Sequence, residues 1–156
     1  MSRWDPMANV LVCGSLLIAL DKMGIKPALI GRQTARVLIP MMNEIAKNYA
    51  ERGEVAKTMD QFIIDFKTAT KHINFLDRES FEMNYSEGIL SMKVPDCMWL
   101  DMLNFGKSQG YKTCALCGVG IITTALISAL NLGEVLDIQI DNNEKVCNLK
   151  FAISEK

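Results

Sequence analysis

The sequence predicts an α+β domain, with a helical N-terminal half packed on a small, mostly antiparallel sheet. Three observations lead there. Apolar residues recur at helical spacing to about residue 72, alternation takes over in residues 81–94 and 135–153, and an uncharged helical run separates the two alternating stretches. The 156 residues are one domain's length, and 49% hydrophobic residues is ordinary for a packed core. A chain of this size buries about 68–70% of its unfolded surface, so folding alone requires neither disulfide nor metal.

Met7 to Met23 has no internal proline and stops at Gly24, a natural terminator. Within it, Asn9 to Leu20 is apolar but shorter than the roughly 20 residues that span a bilayer. No small-residue cleavage site precedes Asp21 and Lys22. The run therefore reads as a buried helix of a cytoplasmic protein without a membrane partner, and Cys13 within it as core. Gly31 to Arg52 follows, with Ala35, Leu38, Ile39, Met42, Ile45, Ala46 and Tyr49 at helical spacing and a kink expected at Pro40. A third helix is expected from Thr58, where Gln61 completes a capping-box pattern, to His72. Its apolar face carries Met59, Phe62, Ile63, Phe66 and Ala69.

The period then changes to two. Phe81, Met83 and Tyr85 alternate with polar residues, Ser86-Glu87-Gly88 turns the chain, and Leu90, Met92 and Val94 alternate again: a β-hairpin, within about residues 75–94. Asp96 is placed to cap a short helix from Cys97 to Phe105 that stops at Gly106. A helix from about Thr113 to Leu132 carries no charge between Cys114 and Leu132, as an element lying under others should. Val135 to Ile140 and Lys145 to Ile153 flank Asp141-Asn142-Asn143, a good turn sequence. Cys147, Leu149, Phe151 and Ile153 share one face of the last strand. No linker or repeat interrupts residues 1–156, which read as a single domain.

Seventeen basic and eighteen acidic residues leave no electrostatic footprint for nucleic acid. The acidic residues scatter and read as solvated surface. Sulfur is more concentrated. Cys97, Cys114, Cys117 and Cys147 lie in the last 60 residues with spacing C-x16-C-x2-C-x29-C, and helix starts favour thiolates. Together these four are candidate ligands for zinc, which takes four such sulfurs in a tetrahedron, or for an iron–sulfur cluster. The competing readings are inert thiols packed as small hydrophobes and a dithiol redox pair at Cys114-Ala-Leu-Cys117. His72, the sole histidine, is the base that a triad hydrolase would have to use. Gly118-x-Gly120 lacks the remaining residues of a phosphate-cradling loop, so close helix packing is its simpler reading. Trp99 either anchors its helix or lines a pocket.

The stretch Cys114-x-x-Cys117-Gly118-Val119-Gly120 opening an apolar helix, then a strand, a turn and Cys147-Asn148-Leu149-Lys150-Phe151, resembles the end of 4-vinyl-reductase-type small-molecule-binding domains. The resemblance covers roughly residues 81–153. Such domains are known in archaea as hydrocarbon-binding proteins and share a fold with vesicle-tethering subunits, so it implies an apolar small-molecule ligand. Cys114 would match the family's first thiol and Cys147 its last. The glutamate and further cysteine often found between them are missing from Asp137-Ile138-Gln139-Ile140-Asp141, where Cys97 and Cys117 would have to substitute. A second resemblance, carried by Cys97-Met98-Trp99-Leu100 through Phe105-Gly106, Cys117 and Cys147, is to the aminothiazoline-carboxylate hydrolase-like family. It implies hydrolysis with a thiol among the active groups. The reading to test is a domain that binds or senses an apolar molecule beside a metal or redox cluster of cysteines. Its rivals are a thiol hydrolase and a structural homodimer joined through an exposed apolar face of the first helix.

Overall fold

The computed structural model describes residues 6–25, 27–49, 52–73, 81–97, 99–111, 117–143 and 146–154, and it is α+β. Helix α1 (Pro6–Lys22) leads into α2 (Pro27–Tyr49), which starts on a proline whose missing N–H costs nothing in a first turn. The helix is continuous through Pro40. Helix α3 (Met59–Ile73) is capped as its sequence suggests. Thr58 Oγ1 accepts from the Gln61 N–H at 3.3 Å, and Gln61 Oε1 accepts at 2.9 Å from the Lys57 N–H, one residue ahead of the usual box partner.

Strands β1 (Glu82–Ser86) and β2 (Ile89–Pro95) form the first hairpin. Its two-residue turn puts both Glu87 and Gly88 at positive φ, the geometry that matches strand twist. Helix α4 (Leu100–Ser108), helix α5 (Gly118–Ala129) and the long hairpin of β3 (Glu134–Asn143) and β4 (Val146–Ser154) complete the chain. The sheet is antiparallel throughout, in the order β1-β2-β4-β3.

Register decides what each face carries. One face shows the rows Met83–Met92–Leu149–Ile140 and Tyr85–Leu90–Phe151–Ile138, with Val94 beside Cys147. Most of these are buried, and they join Phe62 and Phe66 of α3 and Val119, Leu126 and Ile127 of α5 in one core. The other face shows Glu82–Lys93–Asn148–Asp141 and Asn84–Ser91–Lys150–Gln139, the polar side of an antiparallel sheet layered on one face only. A bulge between Val135 and Asp137 keeps both ends of β3 in phase and leaves Leu136 exposed. Helix α5 packs on α2 and β3, α3 on α2 and β1, while α1 touches α4.

Several boundaries differ from the sequence reading. Helix α4 begins at Leu100, because Asp96 takes a left-handed backbone conformation (φ 44°) and turns the chain instead of capping it. It runs through Gly106 and ends at Gly110, whose N–H reaches Lys107 O while the Tyr111 N–H reaches Gly106 O. The same double closure ends α5 at Asn131, not Gly133. Residues 141–143 are strand, not turn, and residues 144–145 lie outside the described residues. Cys13 is exposed, not core. Asp65 is not solvated surface: it is 1% exposed and ion-paired to Arg52, with burial raising its pKa more than Arg52 lowers it.

Candidate functional site

Three sulfurs converge where the sheet meets α4 and α5. Cys147 is fully buried on the core face of β4, opposite Val94 of β2. The left-handed turn at Asp96 carries the chain off β2 so that Cys97, also buried, lies beside that pair and its carbonyl accepts from the Leu100 N–H. Cys117 is the N-cap of α5. Its backbone is extended, and its Sγ accepts the Gly120 N–H at 3.3 Å, the position in which serine or aspartate usually satisfies a helix's first free amides.

The three sulfurs differ electrostatically. The thiol of Cys147 hydrogen-bonds to Cys97, and that contact pulls the Cys97 pKa below 9.0 against the opposing effect of burial, helped by the Trp99 backbone N–H. Cys147 is pushed far above the usual thiol range, first by donating to Cys97, then by burial and by the charges that Cys97 and Cys117 would bear. The hydrogen bond thus shifts the two thiols in opposite directions, Cys97 down and Cys147 up. The donors that favour a Cys97 thiolate are a thiol and a backbone amide.

Trp99 closes one side. A β-carbon built on Gly118 would fall 2.5 Å from Trp99 Cζ2, so the indole occupies the space a side chain would need. Gly120 faces Cys117 and Leu149 at ordinary contact distances. Close packing therefore requires a glycine at 118, whereas a β-carbon at 120 would be accommodated. The Trp99 indole N–H is buried without a hydrogen-bond partner among the described residues.

The remaining candidates fall elsewhere. Cys114 lies outside the described residues, as does the start of the helix expected from Thr113; the described helix begins at Gly118. His72 is in the last turn of α3, with its side chain outside the described residues. Among the described residues, no group of three His, Cys, Asp or Glu side chains is arranged to hold a metal ion. The four-cysteine site expected for zinc or an iron–sulfur cluster includes Cys114, which lies outside the described residues.

Two hollows bear on ligand binding. An apolar crevice of about 50 Å³ lies among Leu38, Met41, Phe66, Ala69, Ile122 and Leu126, between α2, α3 and α5. It is far smaller than the roughly 300 Å³ at which ligand pockets begin. A broad groove of about 880 Å³ runs over the polar sheet face, past Asn84, Ser91, Lys93, Gln139, Asn148 and Lys150. Sequence alternation marked that face as polar without marking it as concave, since concavity comes from twist. No helix among the described residues is long and apolar enough to cross a membrane. No family model, curated protein or solved structure matches the chain.

Proposed function

We propose that this chain is a sensing domain whose working part is a thiol switch formed by Cys97 and Cys147, with Cys117 beside them. The observation that carries the reading is the placement of two buried thiols side by side, with the Cys147 thiol donating to Cys97 and lowering its pKa, as nucleophilic attack by Cys97 requires. The oxidant is a hydroperoxide. The Cys97 thiolate attacks its terminal oxygen, the O–O bond breaks, a sulfenic acid forms on Cys97, and the alkoxide or hydroxide leaves with a proton from solvent. The Cys147 thiol then attacks the Cys97 sulfur, an S–S bond forms, and water departs. Two thiols have lost two electrons to the peroxide, and an external dithiol reverses the change.

The bond would tie β4 to the turn that launches α4. Trp99 is two residues from Cys97 and rests on Gly118 at the start of α5, so a shift at Cys97 reaches both helices. An apolar ligand would need more room than the 50 Å³ crevice offers.

The test is peptide mapping of reduced protein after hydrogen peroxide. The expected product joins the Cys97 and Cys147 peptides, and Cys147→Ser should leave a sulfenic acid on Cys97, trapped by a 1,3-diketone. Cys97 and Cys147 still reduced after Cys13 has been fully oxidised would overturn the reading. So would one equivalent of zinc or iron in anaerobically purified protein that is lost in Cys97→Ser.

A further inference from the structure

Helix α1 has two apolar sides and the described fold uses only one. Gly14 is buried and Leu17 and Ile18 pack against the core. On the opposite side Val12 (53%), Leu16 (58%), Ala19 and Met23 (73%) are all exposed. Their spacing is four, three, four, which lays a straight seam along a helix and is the spacing that seats one helix on another. No charged residue occurs from Pro6 to Leu20.

We infer that this seam is covered by α1 of a second copy of the same chain, running antiparallel. A two-fold axis sets a surface against itself, so a charged stripe would repel its own image and this uncharged one does not. The order of sizes is self-complementary too. With the axis between Leu17 and Ile18, Leu16 of one copy lies against Ala19 of the other and Val12 against Met23, a large side chain opposite a smaller one at each level. A lipid surface fits less well. Interfacial helices carry lysines and arginines along a polar face, whereas Lys22 of α1 sits beside Asp21. The seam from Val12 to Met23 is only about 16 Å long at 1.5 Å per residue. At a helix width of about 10 Å that strip falls well short of the roughly 800 Å² per partner of a standard interface, so the dimer belongs to the weak, reversible class.

Sedimentation velocity on the whole reduced chain, across a range of protein concentrations, tests this. Wild type is expected to pass from monomer to dimer as concentration rises. Leu16→Glu and Ala19→Lys should each weaken self-association by about tenfold or more (at least 1.4 kcal/mol). Mixing the two variants should restore a dimer, because the carboxylate introduced in one then meets the ammonium introduced in the other. Restoration also shows that both variants are folded. Leu136→Glu, an equally exposed change on β3, should leave the dimer intact. Wild type that stays monomeric at every concentration, a mixture that fails to associate, or vesicle binding that Leu16→Glu abolishes would each overturn the inference.

Discussion

Gly118 shows how much of the site depends on an atom that is missing. The Trp99 ring lies where any β-carbon at residue 118 would go, 2.5 Å from the ring at its nearest, and rigid aromatic atoms have no slack to yield. Gly118→Ala should therefore cost about 1–3 kcal/mol, the usual range for overpacking a core. Chemical denaturation measures that cost, and Trp99 fluorescence in a Trp4→Phe background should shift as the indole is displaced. An unchanged spectrum with unchanged stability would mean that the contact does not exist in solution. The sequence marked Gly118, Trp99 and the cysteines separately, but nothing in it paired the ring with the glycine, because that pairing depends on where α4 crosses the start of α5.

At the scale of elements, periodicity found nearly every helix and strand and was least reliable at their ends. Asp96 looked like a cap and is a left-handed turn; Asn131, not Gly133, closes α5. Local sequence favours several residues at each end, and tertiary packing chooses among them. Helix α3 contains a second lesson. Asp65 lies on the same stripe as Phe62, Phe66 and Ala69, a placement that its reading as solvated surface overlooked, and Arg52 reaches it from the α2–α3 connection. Burial outweighs the arginine, so its carboxyl sits above the 3.8 of an exposed aspartate. A group that holds its proton more tightly when folded adds most stability below its unfolded pKa, and loses that contribution as pH rises through the folded value. Wild type should consequently exceed Asp65→Asn in unfolding free energy by a margin that narrows as pH is raised from below 3.8 toward neutrality. A widening margin would mean that Arg52 dominates instead.

For the whole molecule, the layered α+β architecture was legible because its pattern changes are long and clean: helices, a hairpin, helices, a hairpin. The convergence of Cys97, Cys117 and Cys147 was legible only as clustering toward the C-terminal part. Residues 20 and 30 apart in sequence meet because β4 pairs with β2, the Asp96 turn follows at once, and α5 begins beneath Trp99. The exposure of Cys13 was not legible, and an exposed apolar face of α1 was raised only as the premise of a homodimer, since an all-round apolar helix reads the same whether the fold or a partner covers it.

The donation from Cys147 to Cys97 is the claim on which the proposed switch rests, and thiolate absorbance near 240 nm followed against pH reads it directly. Subtracting the Cys97→Ser titration from wild type should reveal a lost step below 9.0, and in Cys147→Ala, which has no side-chain donor, the Cys97 step should move upward. A Cys97 step at or above 9.0, unmoved by Cys147→Ala, would contradict the account.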